Sequence, residues 1–267
     1  MDTSDRFSLM IEALTELAQE EQVILPPKTR QTPPTPATPT LNSVLADIAP
    51  LPREALFLGM AEDGLPVLLN LFDPVPGPIL ITGDKGSGKT NLLQTIARAA
   101  DILHAPEQVQ YGIITSHPNE WEKISGSRNN AGVYTTSDDN AKELLQSLVT
   151  WAHRNKGEEQ SIILLIDDLD AVLNLGDQAQ QNLRWLLLRG SSRRVWSFIT
   201  LNAEKAHELR DWLSFFHTRL FGFTEKHEDA YLLTGVPDQT LDHVRARSHF
   251  AMREDNKLLP FWLPSIG

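Results

Sequence analysis

A stretch of eight residues, Gly83-Asp84-Lys85-Gly86-Ser87-Gly88-Lys89-Thr90, combines the residue types that bind phosphate, and the apolar run 79–81 precedes it. Glycines let the backbone curl so that consecutive N–H groups point at an anion. A helix that starts at the end of such a loop adds the positive end of its dipole. The spacing G-x-x-x-x-G-K-T, between a predicted strand and a predicted helix over 91–100, therefore indicates a phosphate-binding loop.

The residues of this loop have distinct predicted roles. We expect the nucleotide contacts to come from Gly83, Asp84, Lys85, Gly86, Ser87, Gly88, Lys89, Thr90 and Asn91. Lys89 is placed to pair with the β and γ phosphates, and the Thr90 hydroxyl to ligate Mg²⁺. A glycine-rich turn without a ligand is the alternative, but the strand and helix patterns on either side count against it.

A second motif ends in two carboxylates. Residues 161–166 form an apolar strand pattern that Asp167 and Asp168 follow. Enzymes with a phosphate loop hold their metal-side acid at the end of such a strand. Asp167 is predicted to bind Mg²⁺ through water, and Asp168 to act as the base for the attacking water. Acids that only cap the next helix are the alternative, and Asp170 fits a cap or first-turn role.

Composition limits the rest of the protein. The 267 residues, 41% of them apolar, allow one nucleotide-binding domain with an appendage. The chain has no cysteine, which excludes disulfides and thiolate metal sites. Without an apolar stretch of about 18 to 20 residues or a basic signal-like start, we expect a cytoplasmic protein with no membrane contact. The net charge of −11 disfavours a monomer that coats nucleic acid, but allows a ring with a basic pore.

Three regions follow one another along the chain. Residues 1–25 carry an acidic amphipathic helix pattern over 5–21, whose apolar stripe packs either on the domain itself or on a protein partner. Residues 26–52 are rich in proline and threonine, which predicts an extended linker. Residues 53–267 are predicted to form the nucleotide-binding domain.

The pattern of this domain predicts its fold class. A β-hairpin turning at Asp63-Gly64 comes first, and strands then alternate with helices. The predicted strands are 79–81, 109–115, 162–166, 196–201 and 218–223, and the predicted helices 91–100, 141–154 and 183–188. Such alternation predicts an α/β fold, a P-loop NTPase with a mostly parallel, RecA-like central sheet flanked by helices. The stretch 115–121 should lie on the phosphate side of this sheet.

The order of these motifs resembles the FtsK/HerA-type ATPases, ring motors that pump DNA or protein. The matching segments are 58–67, 79–90, 133–154, 162–168, 198–202, 216–223 and 228–235, so the resemblance spans about 53–264. It implies ATP and Mg²⁺ as cofactors, a homo-oligomeric ring, and double-stranded DNA in its pore. Asn202 stands at the family's sensor position, which contacts the γ phosphate.

Several positions depart from the family pattern. Asp168 stands in place of the usual glutamate and Asn202 in place of the sensor glutamine, and both side chains are one methylene shorter. Misplacement of about 1 Å at an active site can cost a hundredfold in rate. Ring ATPases also complete each site with an arginine from the next subunit. Arg194 and Arg219 are the first candidates, and a plain surface cation is the alternative for each.

Three hypotheses follow. The leading one is an ATPase that moves DNA as a ring. The alternative is a nucleotide-switched adaptor or regulatory protein, which hydrolyses slowly or not at all and recruits a partner through residues 5–21. The third, a secretion or conjugation coupling ATPase, normally requires membrane anchoring.

Overall fold

The computed structural model describes residues 38–155, 160–236, 240–254 and 257–266. The predicted helix at 5–21 and the predicted linker up to residue 37 lie outside these ranges. Within them, every helix is too short or too polar to cross a membrane.

The described residues build one ten-stranded sheet in the order β2-β1-β10-β9-β8-β3-β7-β6-β4-β5. The strands are β1 (Ala55–Ala61), β2 (Pro66–Asn70), β3 (Ile79–Gly83), β4 (Val109–Thr115), β5 (Asn130–Thr135), β6 (Ser161–Asp167), β7 (Val195–Asn202), β8 (Thr218–Phe221), β9 (His249–Glu254) and β10 (Lys257–Trp262). The strands from β8 to β5 are parallel, and the remainder pair antiparallel. The predicted fold, a mostly parallel sheet of the P-loop class, is confirmed.

Helices cover both faces of this sheet. They are α1 (Leu41–Asp47), α2 (Lys89–Leu103), α3 (Glu122–Ser125), α4 (Asp139–Arg154), α5 (Leu169–Leu173), α6 (Asp177–Arg189), α7 (Arg210–Leu213) and α8 (His227–Thr234), with 3₁₀ turns at Pro118–Trp121, Ser191–Arg193 and Ala203–Lys205. Successive side chains of a strand point to opposite faces of the sheet. Alternate residues of β6 therefore pack into two different hydrophobic cores. Leu164 packs with α4 and α6, whereas Ile163 packs with α2. The strand is therefore apolar from Ile162 to Ile166.

The hairpin is confirmed, but the way it joins the sheet was not predicted. β1 and β2 pair antiparallel around the Asp63-Gly64 turn. β9 and β10 lie between this hairpin and β8, so the chain's last strands connect it to the parallel region. The sequence pattern predicts neither strand, since Pro260 interrupts the strand pattern and β10 is largely exposed.

Helix α1 lies inside the stretch 26–52 that was predicted to be a linker. Thr40 caps it, because the Thr40 side chain accepts a hydrogen bond from the Ser43 N–H at 3.2 Å. The apolar residues of α1 bury against β1 and α2 in a small core that includes Leu45 and Phe57. The compact unit begins at Pro39, before the predicted domain start at residue 53, because the apolar residues Leu41, Val44 and Leu45 that follow Pro39 pack into this core.

Candidate functional site

The phosphate loop connects β3 to α2 at the edge where the parallel strands end. It borders an open cleft of about 760 Å³. The cleft is lined by Lys85, Gly86, Gly88, Lys89, Thr90, Asn91, His117, Glu120, Asp167, Asp168, Thr200, Asn202, Glu204 and Arg247. Gly86 and Gly88 have φ angles of 80° and 102°, which residues with a side chain rarely adopt. The local sequence therefore forms the curled loop that its glycines predict.

Lys89 is folded onto its own loop. Its Nζ donates to the carbonyl oxygens of Gly83 at 2.9 Å and Asp84 at 2.8 Å, and the residue is only 8% exposed. Burial lowers the pKa of Lys89 to about 8, and the nearby charges of Asp167 and Asp168 oppose that shift. A phosphate chain in the cleft would offer this ammonium the anionic partner that the two carbonyls now replace.

Thr90 and Asp167 meet, as their predicted shared role requires. The Thr90 hydroxyl donates to Asp167 Oδ2 at 2.9 Å. The other carboxylate oxygen, Oδ1, accepts from the Thr200 hydroxyl at 3.0 Å. Burial raises the pKa of Asp167, and the two hydroxyl bonds oppose this. Thr200, on the neighbouring strand β7, was missed because a threonine inside an apolar strand carries no motif of its own.

The Asp168 side chain lies both at the cleft and at the start of α5. It lines the cleft, and its Oδ1 also accepts from the Asp170 N–H at 3.2 Å, which caps α5. Its backbone is left-handed with φ 89°, and its N–H donates to the Thr200 hydroxyl at 2.7 Å. Burial raises the pKa of Asp168, which favours proton uptake. The capping alternative therefore applies to Asp168, whose role as the base stays a prediction, and Asp170 lies in the first turn of α5.

The remaining loop residues divide into cleft-lining and anchoring side chains. Asn202 ends β7 directly beside Gly83, in parallel register, and lines the cleft at the predicted sensor position. Asp84 instead anchors the loop, since its Oδ2 accepts from the Glu225 N–H at 2.8 Å. The Ser87 side chain is fully buried beneath the loop.

Three charged residues at the cleft were not predicted as site residues. Glu120 lies within the stretch 115–121, which was predicted on this side of the sheet, and Glu204 follows β7. Arg247 comes from the segment before β9. No motif marks it, and only the tertiary fold brings it to the loop.

The comparisons with known proteins decide the family. Residues 77–239, more than half of the 267-residue chain, match the model of the NACHT domain. The chain belongs to the NACHT family. It is a P-loop NTPase, an enzyme that hydrolyses nucleoside triphosphates.

Curated relatives match this chain over a short segment. The magnesium-chelatase subunit ChlI of Porphyra purpurea is 34% identical over 74 residues, which cover 28% of this chain and 20% of that protein. The ChlI subunit of Cyanophora paradoxa is 38% identical over 68 residues, covering 26% and 19%. The chain thus matches about a fifth of the length of these relatives.

Solved structures share the fold of the NACHT domain. EssC (ATPases 2 and 3) from Geobacillus thermodenitrificans has a TM-score of 0.65 at 17% identity and covers 80% of this chain and 47% of that one. EccC (ATPases 2 and 3) from Thermomonospora curvata, in complex with a signal sequence peptide, has a TM-score of 0.66 at 15% identity, with coverage of 86% and 43%. The pCW3 conjugation coupling protein TcpA, in a monomer form with ATPγS, gives 0.66 at 14%, with coverage of 86% and 70%.

The two arginines predicted to reach a neighbouring site lie away from the cleft of this NACHT domain. Arg219 donates to three backbone carbonyls, at 2.7 to 3.2 Å, of Leu213, Phe216 and Leu233. Burial lowers the pKa of Arg219. These bonds give it a structural role and argue against its prediction as an arginine finger. Arg194 precedes β7 at the opposite edge of the sheet and stacks over Phe72 at 3.8 Å, so its role toward a second subunit stays a prediction.

The oxygen ligands fit Mg²⁺. The described residues hold no cluster of three or more His, Cys, Asp or Glu that would bind a metal alone. Mg²⁺ takes oxygen ligands and is commonly bound by one or two carboxylates together with substrate phosphates. Thr90 and Asp167 supply one hydroxyl and one carboxylate beside the phosphate loop, so a nucleotide would complete the site.

Proposed function

We propose that this NACHT domain binds ATP with Mg²⁺ and hydrolyses it in the cleft beside the phosphate loop. The observation that carries the proposal is the network in which Thr90 and Thr200 both hydrogen-bond to Asp167. It joins the loop that binds phosphate to the strand that holds the metal-side acid. Lys89 and the loop amides bind the phosphates, and Thr90 and Asp167 hold Mg²⁺, which supplies charge neutralisation for the transferring phosphoryl group.

Two further residues complete the proposed chemistry. The Asp168 carboxylate takes the proton of the attacking water, in keeping with its raised pKa and its place in the cleft. Asn202 contacts the γ phosphate through its side-chain amide from the end of β7. Both residues line the same cleft as the phosphate loop, because they follow or end strands that run parallel to β3 or to its neighbour β7.

We propose further that the output of hydrolysis is the movement of double-stranded DNA through a homo-oligomeric ring in the cytoplasm. The fold shared with EssC, EccC and the conjugation coupling protein TcpA supports this proposal. In such a ring Arg194 of one subunit would complete the site of the next. Residues 5–21 would then dock on a protein partner.

A second candidate is a nucleotide-switched adaptor with slow hydrolysis. The observation in its favour is the bond from the Asp170 N–H to Asp168, which ties the proposed base to the start of α5. The net charge of −11 also favours a protein partner over DNA. In this case the nucleotide state would control recruitment of the partner, and turnover would only reset it.

ATP hydrolysis, measured with and without double-stranded DNA, separates the two candidates. Lys89→Ala is the negative control, because it removes the ammonium group and keeps the rest of the loop. Turnover that DNA stimulates and Lys89→Ala abolishes would support the translocase. Tight ATP binding with slow turnover that DNA leaves unchanged would support the adaptor. Absence of ATP binding by the wild-type protein would contradict both.

The variant Asp168→Glu sharpens this experiment. It adds the methylene that the shorter side chain lacks, and Asp168→Asn removes the charge without changing size. If Asp168 is the base, Asp168→Asn should lower turnover by about a hundredfold or more, while ATP affinity stays within about twofold of wild type. Equal turnover in wild type and Asp168→Asn would exclude Asp168 as the base.

A further inference from the structure

Arg247 holds the phosphate loop with its main chain. Its N–H donates to the Ser87 carbonyl at 2.8 Å, and its own carbonyl accepts from the Asn91 side-chain amide at 3.2 Å. A Cβ on Gly88 would lie 2.5 Å from the same Arg247 carbonyl oxygen. The segment before β9 therefore packs directly against the loop, on the side formed by Gly88 and Asn91.

The backbone of Arg247 is one that arginine rarely adopts. Its φ of 77° lies in the left-handed region, where glycine or asparagine is favoured. Strained positions of this kind persist where surrounding contacts over-determine them, and they cluster at binding sites. Backbone preference alone favours glycine or asparagine at this position. We therefore infer that the arginine is present because its side chain has a role.

The charges of the cleft indicate that role. The carboxylates of Glu120, Asp167, Asp168 and Glu204 line it together with the cations Lys85, Lys89 and Arg247. Lys89 is already engaged by loop carbonyls. Arg247 is exposed, and it is the one arginine that lines the cleft in the described part of the chain. A guanidinium pairs with phosphate oxygens through two parallel N–H bonds, which an ammonium cannot do.

We propose that Arg247 is a nucleotide-binding residue whose guanidinium pairs with the phosphate chain of the nucleotide in the cleft of its own subunit. This rests on the proposed function. Lys89 serves the β and γ phosphates, and the acids Asp167 and Asp168 lie on the metal side. Arg247 approaches from the Gly88 side, where the loop N–H groups cradle the α and β phosphates. It therefore binds ADP and ATP alike and contributes affinity rather than rate.

Calorimetric titration of the full chain with Mg-ADP tests this proposal. The main variant is Arg247→Asn, since asparagine tolerates the left-handed backbone and keeps the main-chain bonds. Arg247→Lys keeps the positive charge but lacks the planar guanidinium that donates two parallel N–H bonds. Arg245→Ala is the matched control, because Arg245 is exposed two residues away and does not line the cleft. Unfolding in urea verifies that each variant is folded.

We expect Arg247→Asn to weaken Mg-ADP binding about tenfold, the scale of one lost charge-assisted hydrogen bond. Arg247→Lys should recover part of this loss, and Arg245→Ala should stay within about twofold of wild type. The KM for ATP should rise while kcat at saturation is unchanged. Wild-type affinity in Arg247→Asn, or a fall in kcat with unchanged ADP affinity, would overturn the proposal. A wild-type protein that binds no ADP would instead overturn the proposed function itself.

Discussion

The hydroxyl of Thr90 lies 2.9 Å from Oδ2 of Asp167, although 77 positions separate the two residues in the chain. The contact forms because β3 and β6 both run toward the same edge of the sheet, with β7 between them. It joins the phosphate loop to the carboxylate that we propose as the metal-side acid.

Replacing Thr90 tests that junction. Thr90→Val keeps the shape and removes the hydroxyl, so Mg²⁺-dependent hydrolysis should fall by about a hundredfold, as when one group that stabilises the transition state is lost. Thr90→Ser, which retains the hydroxyl, should keep most of the activity. ATP hydrolysis is measured at increasing Mg²⁺, and ATP binding in EDTA is the control that should not change. A fully active Thr90→Val would contradict the metal role.

Local patterns predicted the parts of the site that lie next to each strand end. The spacing of glycines and lysine within 83–90 predicts the loop, and the apolar strand before Asp167 predicts the acid. Both patterns lie within a short segment of the chain. Arg247 could not be recognised, since it reaches Asn91 across 156 positions and through strands that the sequence analysis missed. Arg219 is the opposite case, because it was predicted as a site residue and the structure gives it a structural role. A cation in a strand pattern does not reveal whether it faces a neighbour or, as here, its own buried carbonyls.

The lowered pKa of Lys89 predicts a pH-dependent affinity. Lys89 must be charged to pair with phosphate, and burial lowers its pKa to about 8 from the ordinary 10.5. Below pH 8 the free protein already holds this proton. Above pH 8 the proton must be taken up on binding, so the affinity for ATP should fall by up to about tenfold per pH unit. Calorimetry in two buffers of different ionisation enthalpy measures this uptake directly.

Two variants serve as controls for this pH dependence. Lys89→Arg carries a guanidinium that stays charged over the whole range, so its affinity, even if weaker, should not change between pH 7 and 9.5. Lys85→Met removes an exposed loop lysine and should retain the wild-type slope. If the affinity of Lys89→Arg fell with pH as steeply as wild type, another group would be responsible.

Arg219 should matter for stability. Arg219→Ala leaves three buried carbonyls without their donor, which should lower the free energy of unfolding by about 3 kcal/mol. Urea unfolding measures this difference, and Arg210→Ala, at an exposed position, is the control. Hydrolysis per folded molecule should stay near wild type. Normal stability with abolished hydrolysis would restore Arg219 as an arginine finger.

Alanine variants at two glycines of the phosphate loop distinguish the effect of backbone strain from the effect of close packing. Gly86 and Gly88 both have positive φ, so an alanine is strained at either position. A Cβ on Gly86 would meet nothing within 4 Å, whereas a Cβ on Gly88 would lie 2.5 Å from the Arg247 carbonyl. Gly86→Ala should therefore cost about 1 kcal/mol in the free energy of unfolding, and Gly88→Ala clearly more. Because the Gly88 clash pushes away the Arg247 segment, Gly88→Ala should also weaken Mg-ADP binding beyond the effect of Arg247→Asn. Equal unfolding energies for the two alanine variants would contradict the packing of Arg247 on the loop.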